Sequence, residues 1–237
     1  MIRRVLPSRA ERAWAVATAL TVLVAVLLGT VIAPPDAVQG QAQRLMYLHV
    51  PAAWGAYLCF FLVLVASGIH LRTRARSADR VARAAAECGV VLTACTLLTG
   101  SVWGAMTWGT WWAWDARVST TVTMGLVYVG HLAVRGLVTG PRGATLTSIT
   151  GVAGFAVVPL VHFSVLWWRT LHQPPTILAP SLEPPLDGRM AAALAVSVLA
   201  VTMLTVWALY RRTSPLTTVP TPVHGRSAVR GVDRVPS

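Results

Sequence analysis

The sequence predicts an all-α, polytopic membrane protein with six transmembrane helices, and three observations carry that prediction. Hydrophobic residues make up 55% of the 237-residue chain and charged residues only 12%, a balance too apolar for a water-soluble domain. Six apolar runs reach the roughly 20 residues that cross about 30 Å of hydrocarbon. Each must be helical, because lipid offers backbone polar groups no partner. Arginine supplies all twenty basic residues, and sixteen of them fall on alternate connections. That asymmetry places both termini in the cytoplasm and the three arginine-poor loops outside.

The first run, residues 14–33, follows Arg3, Arg4, Arg9 and Arg12. It is too long for a signal-peptide core and no small-x-small cleavage site follows it, so it is expected to be a retained anchor. The second, residues 51–71, opens on a proline suited to a first helical turn, with Val50 pushed to an extended conformation. The third, residues 84–106, follows the arginine-rich stretch 72–83. The fourth, residues 119–138, carries Arg135 near its end, Arg142 separates it from the fifth, residues 148–166, and the sixth covers residues 190–210. The chain thus divides into a basic N-terminus (1–13), a membrane domain (14–210) and a tail (211–237). That tail, rich in Pro, Thr, Val and Arg, is expected to be disordered and to lie against anionic membrane lipid.

A net charge of +12 would suit nucleic acid, but its alternation along the chain points to membrane topology and no nucleic-acid partner. Cys59, Cys88 and Cys95 lie inside predicted helices and are expected to be small buried hydrophobes. With no C-x-x-C-H and no pair in an outer loop, neither covalent haem attachment nor a disulfide framework is indicated. No phosphate loop, nucleophile motif, or acid–base pair is present, so the residues do not suggest an enzyme.

Eight of the ten tryptophans fall at or near the outer face, more than interfacial anchoring requires. They concentrate in WGTWWAWDAR, residues 108–117, within a Trp-rich segment 103–118. If residues 104–115 are helical, Gly104, Trp108, Trp111 and Asp115 line one stripe with Trp112 beside it. Two readings fit that spacing: a flat aromatic face that stacks a planar ligand, or an interfacial helix that seals the bundle. His49, in MYLHVPAAW, is expected just outside a helix N-terminus at the outer surface, where the helix-end potential favours the neutral imidazole. His172, in VLWWRTLHQPP, is expected at the outer tip of a helix, one turn from Trp168, where the dipole favours protonation. Two imidazoles flanking a tryptophan face supply two axial nitrogens for a haem iron. Arg117 and Arg169 are candidates to pair with haem carboxylates. Asp115 has three candidate partners: a backbone amide, a tryptophan N–H and Arg117. His70 and His224 are assigned no role, His131 is expected to snorkel inward beside Arg135, and His162 is a candidate support behind His172.

These three motifs, WGTWWAWDARVSTT, MYLHVPAAW and FSVLWWRTLHQPPTI, resemble the tryptophan-rich WWD haem-handling family, in its haem exporter protein C branch of bacterial cytochrome c maturation. The resemblance spans roughly residues 10–210. It implies a six-helix protein of the bacterial inner membrane that binds haem b at the outer face and delivers it to a periplasmic haem chaperone. It also implies that His49 and His172 are the axial ligands, with Trp108, Gly109, Trp111, Trp112, Trp114 and Asp115 as the platform. The implied partners are that chaperone, the ATPase and membrane subunits of an ATP-binding-cassette transporter, and a small single-helix subunit. Leu166 stands where an acidic residue is expected before the tryptophan pair, and Arg169 where the family has Asn. The competing classes are a b-type electron-transfer cytochrome, which would pair histidines inside the bundle, and a small-molecule permease, which would carry a midplane polar site.

Overall fold

The computed structural model describes residues 8–172 and 186–214, and its regular structure is helical. Helix α1 (Arg9–Leu27) passes through a π-helical turn (Leu28–Ile32). A 3-10 turn (Gln41–Leu45) leads directly into α2 (Met46–Thr73), and then come α3 (Arg76–Trp108), α4 (Ala116–Leu137), α5 (Gly140–Gly154), α6 (Val157–Trp167) and α7 (Gly188–Thr213). Five segments are long and apolar enough to cross a membrane: 9–32, 41–73, 76–108, 140–167 and 188–213. The remaining expected crossing, α4, is less apolar. Its 22 residues still reach about 33 Å at 1.5 Å per residue, and it packs against α3, α5 and α6.

Each boundary has a local cause. Ser8 and Glu11 form a reciprocal capping box at the start of α1, satisfying two amides that the first turn leaves free. The second helix begins five residues before Pro51, not at it, and Val50 is helical. The 3-10 turn feeds it, and Arg44 anchors that turn by donating to the carbonyls of Gly29, Thr30 and Ala33 at the end of the first crossing. The fifth crossing starts at Gly140, earlier than expected, with Pro141 in its first turn, a position that has no use for an N–H. It breaks at Phe155 and Ala156, four and three residues ahead of Pro159, because the proline ring clashes with the carbonyl four residues back.

The core is built around the α2–α3 pair, with α7 and α1 on one side and α4, α5 and α6 on the other. Between lipid-embedded helices the attraction is mainly van der Waals contact, which favours small residues at the interface. On α3 the buried Ala82, Ala85, Ala86 and Gly89 provide that surface. Gly89 is required there, since a Cβ would sit 2.4 Å from Cε1 of Phe60. Phe60 has no room to retreat: it is fully buried and stacked on Tyr128, ring centroids 3.6 Å apart.

Two expectations about buried polar groups change. His131 does not snorkel. It is 2% exposed, and its Nδ1 lies 3.1 Å from the Thr150 hydroxyl, whose own proton goes to the Thr147 carbonyl. Arg135 instead forms a two-nitrogen ion pair with Asp79, at 2.6 and 3.1 Å, so its charge is met within the bundle. Of the cysteines, Cys59 is buried as expected, but Cys88 is half-buried and Cys95 faces outward. His224 and the tail beyond Ser214 lie outside the described residues, as do Pro174 and Pro175.

Candidate functional site

His49 lies in the first turn of α2, not ahead of it, and α3 receives its ring in a fitted seat. Gly100 forms the floor: a Cβ there would come within 2.9 Å of the imidazole Cε1. Trp103 closes the side, edge-on at 5.6 Å between centroids. Its own N–H is held at 2.8 Å by the side-chain oxygen of Gln39. His49 Nδ1 lies 3.1 Å from the Thr99 hydroxyl, which donates its one proton to the Cys95 carbonyl at 2.7 Å. The hydroxyl oxygen therefore accepts, Nδ1 carries the ring proton, and Nε2 keeps the lone pair.

The tryptophan segment is not a continuous helix. α3 stops at Trp108, and Gly109 reverses the chain with φ +73°, the left-handed conformation that glycine adopts without penalty. Residues 110–115 then fold back across the last turn. The Thr110 carbonyl lies so close to Gly104 that a Cβ there would meet it at 3.2 Å. The single helical stripe through Trp108, Trp111 and Asp115 is thus broken. Trp112 and Trp114 meet edge to face, 5.2 Å apart at 79°, the arrangement that aromatic quadrupoles favour.

Asp115 ties this segment to His172. One carboxylate oxygen accepts the Val118 amide at 2.8 Å and caps α4; the other accepts the Leu171 amide at 3.1 Å and lies 2.9 Å from His172 Nδ1. Of the three partners considered for Asp115, the backbone amide is present, and the imidazole was not foreseen. α6 ends at Trp167, where Trp168 turns extended, so His172 is not on a helix tip. Its surroundings, not a helix dipole, set its charge. Burial pulls the His172 pKa below the ordinary value, with Arg117 adding to this, while Asp115 pulls the other way. Burial acts to raise the Asp115 carboxyl, but the Val118 and Leu171 amides and His172 hold it below the usual range. An ionised carboxylate only accepts, so His172 donates through Nδ1 and again leaves Nε2 with the lone pair.

Both imidazoles line one cleft between α2, α3 and α4, together with Gly104, Trp108, Trp111, Trp112 and Arg117. Trp108 meets the His172 ring edge-on at 4.9 Å. Arg117 donates to the His162 carbonyl at 3.1 Å, shares a hydrogen bond with Tyr57, and keeps a buried Nε that has no partner among the described residues. The donor set suits an iron porphyrin: two neutral nitrogens of fixed tautomer, indole walls, and a guanidinium with bonding capacity to spare. Not every expected residue reaches the cleft. Gly109 and Asp115 act behind it, Trp114 is exposed beside Trp112, and Arg169 is exposed outside it. Tyr57, Thr99 and Gly100 were not identified from sequence. Gly100 gives no distinguishing signal on a helix that also carries Gly89 and Gly104 among many alanines and threonines.

Comparison with known proteins finds relatives over most of the chain. The pattern describing "Heme exporter protein C" matches residues 4–219. The chain is 36% identical over 202 residues to a protein of that name from Bradyrhizobium diazoefficiens, covering 85% of this chain and 74% of the relative. It is 37% identical over 171 residues to another from Escherichia coli strain K12, covering 72% and 70%. A "Putative cytochrome c biosynthesis ccmC-like mitochondrial protein" from Marchantia polymorpha is 37% identical over 153 residues, 65% of each chain.

Proposed function

This chain belongs to the haem exporter protein C family, and from that premise we propose that His49 and His172 hold haem b at one membrane face for transfer to a partner. The family places the chain in haem handling for cytochrome c biogenesis. The observation that carries the proposal is the matched pair of tautomers. Each imidazole gives its Nδ1 proton to a protein acceptor, Thr99 or Asp115, which leaves Nε2 as the metal-binding nitrogen of two rings that line the same cleft. Such outer partners fix ring orientation and raise ligand basicity.

His49 and His172 would be the residues that hold the haem iron, each through its unprotonated Nε2. Trp108, Trp111 and Trp112, which line the cleft, would supply its apolar walls, and Arg117, with a guanidinium nitrogen left unpartnered, would meet a carboxylate of the group. Trp114, Trp167, Trp168 and Leu171 are exposed on the two segments that carry Trp112 and His172 to the cleft, and we read them as an apolar rim of the kind that marks a docking surface. We assign that rim to the periplasmic haem chaperone. The assignment makes the chain a transfer component whose side chains bind and orient.

The helices make this a membrane protein. From the family we place it in the bacterial inner membrane, and from the arginine asymmetry we orient it with both termini cytoplasmic and the cleft periplasmic. It works there beside the transporter ATPase and membrane subunits and the single-helix subunit. The test is handover. Haem-loaded protein mixed with the soluble chaperone is expected to lose its Soret band to the chaperone fraction. Haem that stays with the chain through repeated oxidation and reduction, chaperone present, would identify an electron carrier instead.

A further inference from the structure

At the opposite end of the bundle the geometry points to a binding site for the phosphodiester headgroup of an anionic phospholipid, in a recess between the α2–α3 turn and the start of α5. Arg74, Arg76, Arg80 and Arg142 line it. The one acidic group in its wall, Asp79, is already held by Arg135 through two nitrogens. Among the described residues, none of the four recess arginines forms an ion pair. Four cations thus converge on one concavity with their charge unmet, which is more than topology requires.

The recess is built, not merely charged. Arg74 has φ +58°, a left-handed conformation that costs a non-glycine residue on the order of 1–2 kcal/mol. That conformation ends α2, and the Arg74 guanidinium bonds the Thr145 hydroxyl on α5. His70 secures the same turn, its Nδ1 lying 3.0 Å from the Ala75 carbonyl. The uncapped N-terminus of α5 enters the same wall and adds positive potential to that of the arginines.

The remaining lining decides which anion fits. Leu146 and Ile149 of α5 continue the recess along the bundle and are both exposed. A free phosphate or nucleotide has no use for them, whereas a phospholipid places its acyl chain there and its phosphate among the arginines. Basic pockets between transmembrane helices bind anionic headgroups on this principle. The inference is independent of the haem cleft, which lies at the other end of α2.

The test compares Arg74→Gly with Arg142→Gln, combined, against Arg9→Gln with Arg211→Gln, which removes the same charge elsewhere. Arg74→Gly relieves the left-handed backbone, so the chain is expected to keep its helical content and elution volume. Native mass spectrometry of the full chain in mild detergent, titrated with phosphatidylglycerol, phosphatidylcholine or inorganic phosphate, counts what is retained. Phosphatidylglycerol is expected to be retained by the parent and the control variant, with about tenfold less on the recess variant. Equal retention of phosphatidylcholine, an equal loss in the control, an undiminished signal in the recess variant, or displacement by inorganic phosphate at matched concentration would each overturn the assignment.

Discussion

Replacing His49 and His172 together with alanine is expected to abolish haem co-purification, leaving near-background Soret absorbance per polypeptide. Each single change is expected to leave a weakened and shifted band, because one axial nitrogen and the indole walls remain. The two rings reach the cleft independently, His49 on the first turn of α2 and His172 after the end of α6. Neither loss rebuilds the other's seat. Losing an outer hydrogen-bond partner of a metal-bound histidine costs roughly 10–100-fold in affinity, and losing the nitrogen itself should cost more. Neither ring belongs to the fully buried core, so helical content and solubility in detergent should be retained. A full, unshifted Soret band in the double variant contradicts the ligand assignment.

Asp115→Asn should have the next largest effect, through His172 rather than through the fold. The carboxylate divides its work: one oxygen caps α4 at Val118, and the other serves Leu171 and His172. Asparagine can supply one acceptor only. If its oxygen keeps the cap, its amide turns donors toward two donors, and His172 must move its proton to Nε2 and lose its lone pair there. The expectation is a 10–100-fold loss of haem affinity with little change in thermal stability. A drop of several degrees in melting temperature with unchanged haem affinity would show that Asp115 only caps the helix. The same pair sets a pH dependence in the parent protein. Burial holds His172 below the ordinary imidazole value, so its neutral form is complete above that range. Haem retention is therefore expected to be full near neutrality and to fall as acid protonates the ring through its lowered pKa.

Much of this was legible in the sequence because it is periodic or compositional. The all-helical, membrane-spanning architecture followed from run length and composition, and the two histidines expected to flank the tryptophans do line one cleft with them. Boundaries were read less well where tertiary contacts prevail over local rules. Pro51 suggested a helix start, but Arg44 anchors the preceding turn to the end of the first crossing and the helix begins earlier. The stripe that a helix over 104–115 would give is not formed, because Gly109 is a glycine stop and Asp115 an N-cap, both signals that can be read locally.

The Asp115–His172 pair was not visible because its members lie 57 residues apart and no local pattern links them. Nor was the His49 seat, since Thr99 and Gly100 resemble any small residues of a packed helix until α2 is laid against them. What decides the chemistry here, which nitrogen of each imidazole carries the proton, depends on contacts between elements.

The most direct test of the central claim is pulsed electron paramagnetic resonance of the ferric, haem-loaded protein with nitrogen-15 histidine. The structure predicts a low-spin iron coupled to two imidazole nitrogens, one coupling vanishing in His49→Ala and the other in His172→Ala. A five-coordinate high-spin signal in the parent protein, or two couplings that survive both changes, would contradict it.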